Sequence, residues 1–138
     1  MHIDGTNLIM GRVASVAAKH ALLGEHVIVS NCEKLVVSGS RQSSVARYRK
    51  IYEMGNVENG PYLPRTPTRF VKRVCKRMLP IRRARGRAAF KLIRCYVGNP
   101  EGLEKPIALP TMSIDKLPTL KTMTVAELCA ALGGKRLS

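Results

Sequence analysis

Between Arg65 and Arg94 the chain carries 12 Lys or Arg and no Asp or Glu. Guanidinium and ammonium groups at that density do one kind of chemistry well, which is to hold phosphates or carboxylates by charge-assisted hydrogen bonds. The window supplies +12 of a net +15 and leaves +3 for the other 108 residues, so the charge is a patch rather than a background. The ordinary explanation of a charge run is a solvated helix face. Such a face mixes signs, whereas 12 like charges in 30 residues repel one another and gain nothing from intrahelical pairs. A polyanion that neutralises the patch is the better explanation. A lipid surface would draw Phe70, Val74 and Met78 out of the core, which leaves nucleic acid as the expected partner and excludes a membrane.

Other chemistries lack their parts. The turn GTNLIMGRV, where a phosphate loop would sit in a doubly wound fold, has five residues between Gly5 and Gly11 and then Arg12 and Val13, so it matches neither a Walker loop nor a dinucleotide fingerprint. Gly11 is expected to let a helix pack close to a sheet. Asp4 is the one carboxylate placed where such sheets bind ligands, and it is expected to fasten the following turn. His2, His20 and His26 stand apart from one another, and nine acidic residues scattered over 138 offer no acid and base pair. Cys32, Cys75, Cys95 and Cys129 lie 20 to 43 residues apart among aliphatic neighbours, without a CxxC pair, and read as free core thiols rather than zinc ligands or disulfides. No cofactor, metal or small-molecule substrate is expected. The N-terminus lacks the pattern of a signal peptide, and no apolar run approaches the roughly 18 residues of a membrane span, so the expectation is a soluble intracellular protein.

The elements that must carry the patch are legible in outline. A length of 138 residues with 45% hydrophobic composition suits one domain over 1–138. Residues 2 to 4 read as a strand, and Val13, Val16, Ala17 and Leu23 recur at near-helical spacing up to Gly24. Residues 26 to 32 and 35 to 37 read as buried strands. A helix follows, capped by Ser38 or Ser40, with Val45, Tyr48 and Ile51 on one side and Arg47, Arg49 and Lys50 on others, ending at Gly55. After a Gly, Asn and Pro loop, Thr66 and Pro67 start a helix whose apolar stripe is Phe70, Val71, Val74, Cys75, Met78 and Leu79, with Arg69, Lys72, Arg73, Lys76 and Arg77 opposite, until Pro80 stops it. The Arg-rich turn IRRARGR leads through a short helix to a last strand over 92 to 97, and its Gly86 is expected to let backbone approach RNA. Four prolines make 98 to 120 an extended surface segment, and the T-x-x-E box of Thr124 and Glu127 opens a short helix over 125–132. Alternating strands and helices with strands apolar on both sides predict an α/β domain with a small, mostly parallel sheet.

The expected contacts with nucleic acid are Arg12; Arg41, Arg47, Arg49 and Lys50; Arg65, Arg69, Lys72, Arg73, Lys76 and Arg77; and Arg82, Arg83, Arg85 and Arg87. Six aromatic residues are present and none falls in the pattern that stacks single-stranded bases, so phosphate contact is expected to outweigh base reading. Four Arg converging on one turn suit a structured RNA, although composition alone does not separate RNA from DNA.

The blocks GRVAS at 11 to 15, VSNCEKLVVSG at 29 to 39, GPYLPRTPTRF at 60 to 70 and RMLPIRRARGRAAFKLIRCYVG at 77 to 98 resemble the universal thirteenth large-subunit ribosomal protein family in its archaeal and eukaryotic branch. The likeness is collinear over nearly the whole chain. One departure is Arg77, where the family usually has Gly before Met-Leu-Pro. The resemblance implies a three-layer α/β/α domain around a four-stranded parallel sheet, cytoplasmic and buried in large-subunit rRNA beside neighbouring ribosomal proteins, with no enzymatic activity. A chain that ends soon after LGGKRLS is similar in length to archaeal members. Two other readings compete: a basic RNA- or DNA-binding regulator acting off the ribosome, and a phosphate-handling enzyme built on Asp4 and the GTNLIMGR turn.

Overall fold

A computed structural model describes residues 1–56, 58–102, 105–107 and 109–134. Strand β1 (His2–Asp4) leads through Gly5 into helix α1 (Met10–Leu22). A Cβ on Gly5 would lie 2.9 Å from the carbonyl oxygens of Ser30 and Asn31, so this turn needs glycine for close approach. Gly11 was the residue expected in that role, but a Cβ there would meet nothing within 4 Å. The small side chains that bring α1 close to its neighbours are instead Ala14, Ala17, Ala18 and Ala21, buried at helical spacing beside Val13. The helix ends at Gly24 (φ +95), where Gly24 N–H bonds the Ala21 carbonyl and Glu25 N–H bonds the His20 carbonyl, the paired bonds of a Schellman end.

Strand β2 (Val27–Ser30) is central in a three-stranded parallel sheet of order β1-β2-β4, with β4 at Ile93–Cys95. Its register sets Ile3 beside Val29 and Val29 beside Cys95. The expected mixed α/β organisation is present, while the four strands of a single sheet resolve differently. After β2, Asn31 turns left-handed (φ 49) and a one-turn 3-10 helix (Cys32–Lys34) redirects the chain. Strand β3 (Val36–Ser38) therefore pairs antiparallel with β5 (Thr122–Thr124), and the Ile9 to Val36 bridge joins it to the chain ahead of α1. Helix α2 (Arg41–Glu53) is capped by Ser40, whose hydroxyl accepts from Ser43 N–H at 3.3 Å. Ser44 is its one buried residue, and Tyr48 ties it to Phe70 by an edge-on ring contact of 5.1 Å.

Helices α3 (Pro67–Met78) and α4 (Ala84–Leu92) both pack on α1, and α3 also packs on β4. The buried stripe of α3 is Pro67, Phe70, Val71 and Cys75, continued by Leu79; Val74 is half-buried and Met78 is 44% exposed, so the stripe is narrower than its sequence spacing suggests. Residues 98 to 120 were expected to run along the surface. Most of their described residues are exposed, but the segment is also fastened to the N-terminus: Ile107 N–H bonds the His2 carbonyl, Ile9 N–H bonds Met112, Ile114 N–H bonds Asn7, and the Met112 side chain enters the core. Proline cannot donate, but its neighbours can, so a Pro-rich segment can still be fastened by the residues between. Helix α5 (Val125–Ala131) opens with the expected capping box, both of its reciprocal bonds formed.

Candidate nucleic-acid interface

On α3 the residues Arg69, Lys72, Arg73 and Lys76 fall at i, i+3, i+4 and i+7, which sets them on one helix face opposite the buried stripe. Arg77 lies in the last turn, where a cation complements the carbonyl end of the helix, and Pro80 keeps the helix from continuing. The chain then reverses: Ile81 N–H bonds the Leu79 carbonyl at 2.8 Å and Arg83 N–H bonds that of Pro80 at 2.9 Å, bringing Arg82 and Arg83 back toward α3. These seven cations line one open cleft of about 1030 Å³ together with Tyr62, Leu79, Pro80, Ile81 and Phe90, and no carboxylate shares it. Gly86 serves this reversal. A Cβ there would stand 2.1 Å from the Pro80 oxygen and 2.4 Å from its carbonyl carbon, so Gly86 admits the protein's own backbone, not that of a ligand as expected.

The remaining expected contacts lie elsewhere. Arg41, Arg49 and Lys50 line a smaller groove of about 560 Å³ along α2 beside Glu53 and Ala131. Arg47 lies 6.0 Å from the Tyr48 ring, and Arg65 lies 5.3 Å from that of Tyr52 while also donating to the Gly133 carbonyl at 3.4 Å. Arg12 donates to the Thr111 carbonyl at 2.8 Å, helping to fasten the returning segment. Arg85 faces a small hollow with Ser15, Lys19, Leu22 and Met78, and Arg87 is exposed on α4. Of the 15 expected residues, only Lys72 and Arg73 are as much as half-buried; the rest are exposed.

The electrostatics of this surface are one-sided. Among the described residues the one contact of salt-bridge length is the His20 to Glu25 hydrogen bond, at 2.9 Å, and no Arg or Lys there is paired with a carboxylate. Arg73 donates to the Tyr62 carbonyl, and the ammonium groups of Lys72 and Lys76 stand 5.1 and 6.0 Å from the Phe90 ring centroid. Helix starts repeat the pattern. The first turns of α1 to α4 contain no acidic residue and instead carry Arg12, Arg41, Arg69 and Arg85, each opposing the positive end of its helix. Such placements cost about 0.3–1 kcal/mol each in the isolated fold and reverse sign when an anion sits at the helix start.

The rival catalytic parts serve the fold. Asp4 accepts from Thr6 N–H at 3.0 Å, the Thr6 hydroxyl at 2.8 Å and the Asn31 amide at 2.8 Å. Burial alone would raise its carboxyl, but these bonds outweigh burial and hold it below its ordinary range. His2 and Ser30, a pair the sequence did not suggest, meet at 2.9 Å with both side chains buried. The four cysteines are free. Burial pushes the Cys75 thiol up to about 12 and that of Cys129 to about 11; Cys95 is raised by its hydrogen bond with Cys32 and then by burial. Sequence spacing also missed the aromatic part of the cleft, because Tyr62 and Phe90 come from a loop and a helix on either side of α3.

Comparison with known proteins agrees with the geometry. The chain is 40% identical over 136 residues to the large ribosomal subunit protein uL13 of Methanosarcina barkeri, covering 96% of this chain and 97% of that one. It is 39% identical to the uL13 protein of Haloarcula marismortui (97% and 91% covered) and 38% identical to that of Methanocaldococcus jannaschii (96% and 97% covered). The sequence pattern of the family described as ribosomal protein L13 matches residues 1–102, and with relatives this similar over nearly full length the chain belongs to the ribosomal protein L13 family.

Proposed function

We propose that this chain is a structural constituent of the large ribosomal subunit in the cytoplasm, acting as one domain that binds and stabilises folded large-subunit rRNA, with no catalysis of its own. The observation that carries this reading is the cleft of seven cations with no carboxylate among its lining residues, which a polyanion would neutralise. The names borne by its relatives point the same way. Mechanistically, the arginines of α3 and of the turn before α4 form paired hydrogen bonds to phosphates that approach one another in the folded RNA, relieving their mutual repulsion and that of the rRNA backbone. Arg41, Arg47, Arg49 and Lys50 on α2, with Arg12, Arg65, Arg85 and Arg87, hold further phosphates around the domain, and neighbouring ribosomal proteins complete the packing.

Two measurements test this. If six cations contact phosphate, log affinity for large-subunit rRNA falls against log salt with a slope of about −4 to −5. A slope near zero removes phosphate contact as the main term. Sedimentation of cell extracts separates a ribosomal constituent, confined to the large-subunit peak, from a regulator that acts off the ribosome.

A further inference from the structure

The cleft between α3 and α4 holds more than a phosphate track needs. Phosphates running along a helix require cations on a flat or convex face, whereas a concavity of about 1030 Å³ with an apolar floor has room for an organic group. That floor is Leu79, Ile81 and the half-buried Phe90. At the rim Tyr62 is 67% exposed yet held in place: its hydroxyl donates to the Glu58 carbonyl at 2.7 Å, and its own carbonyl accepts from Arg73.

We propose that this cleft receives one nucleotide unstacked from folded RNA, its base against the aromatic lining and its flanking phosphates on the surrounding cations. The inference rests on the reading of the chain as an RNA-binding protein and adds that a base, not backbone alone, is held there. An aromatic face beside cations is the combination that binds single-stranded bases without sequence preference. The ammonium groups of Lys72 and Lys76 lie near the Phe90 ring. A base stacking on that ring displaces them onto its own phosphate and exchanges a weak cation and ring contact for a charge-assisted hydrogen bond. A protein segment filling the same space would have to bring enough acidic side chains to offset seven cations, whereas RNA supplies a negative charge with every nucleotide.

The test uses the full chain, with Phe90→Leu to keep apolar volume and Tyr62→Leu at the exposed rim, against an oligouridylate and an RNA duplex of equal phosphate count. Each variant weakens oligouridylate binding roughly ten-fold, leaves the duplex within about two-fold, and keeps the salt slope of the parent chain. Short-wave ultraviolet crosslinking of the parent chain to oligouridylate attaches uridine to the peptides containing Tyr62 or Phe90. Both variants binding oligouridylate as the parent does, with the steep salt slope intact, would overturn the pocket and leave a phosphate track. Displacement of oligouridylate by oligoglutamate of equal charge at lower concentration than by free oligouridylate would overturn it in favour of a protein occupant. Failure of the underlying reading would look different, since the parent chain would then bind neither RNA in a salt-dependent way.

Discussion

Gly86→Ala and Gly11→Ala are the same chemical change at two helical glycines, and the structure assigns them opposite effects. Alanine in a helix gains about 1 kcal/mol over glycine. At Gly11 the added methyl meets open space, so that gain is realised and stability rises by up to about 1 kcal/mol. At Gly86 the methyl would stand 2.1 Å from the Pro80 oxygen, where ordinary contact begins at 3.4 Å, so α4 or the reversal before it must move by roughly 1 Å. The obstacle is backbone, and it is pinned by the Arg83 to Pro80 bond of 2.9 Å, so no side-chain rotation relieves it. Overpacking of this kind costs about 1–3 kcal/mol, and losing the pinned bond adds about 1 kcal/mol. Set against the helix gain, the net is a loss of roughly 1–3 kcal/mol, or about 4–12 °C in melting temperature for a domain of this size. Thermal melts of the two variants beside the parent decide it. The displaced reversal carries Arg82 and Arg83, so Gly86→Ala also weakens RNA binding below its melting point, while Gly11→Ala does not. An unchanged or raised melting temperature for Gly86→Ala would refute the close approach to Pro80.

The two faces of α3 separate in the same way: Val71→Asp buries an unpaired carboxylate at a fully buried position, costs several kcal/mol and abolishes the cooperative melt, whereas Arg69→Ala leaves the melt near that of the parent and weakens RNA binding. Changing Arg82, Arg83, Arg85 and Arg87 together to Lys keeps the charge but removes the planar forks, and filter binding at physiological salt should show about a ten-fold loss with the fold intact; parental affinity would reduce the stretch to a diffuse basic surface. The buried thiols give an alkaline limit. With Cys75 and Cys129 raised above the ordinary thiol value of 9.0, the unfolded chain releases protons first as pH rises, so their contribution is whole below pH 9.0 and is lost towards about 11 to 12, readable as a falling melting temperature over that range. Near pH 8, thiol reagents should modify Cys32, Cys75 and Cys129 only as fast as the protein unfolds.

Local and compositional features of this protein were set by sequence alone. The ends of α1 and α5 follow from Gly24 and from the Thr124 and Glu127 box, because each is decided within a few residues of the chain. The unopposed charge of residues 65 to 94 points to a polyanion whatever the fold, because like charges in covalent proximity stay close in any conformation. Pairings between distant segments were decided only by tertiary structure. Left-handed Asn31 steers β3 out of the parallel sheet to meet β5, and Met112 returns from a Pro-rich stretch to the core; neither partner is encoded nearby. The two glycines show the limit most sharply. Sequence gives Gly11 and Gly86 the same permissive backbone, while the contact that makes one indispensable, the Pro80 carbonyl against Gly86, exists only once α4 has folded back on the end of α3. That same reversal brings Phe90 into one cleft with Tyr62 and seven cations, turning a linear run of charge into a concave site.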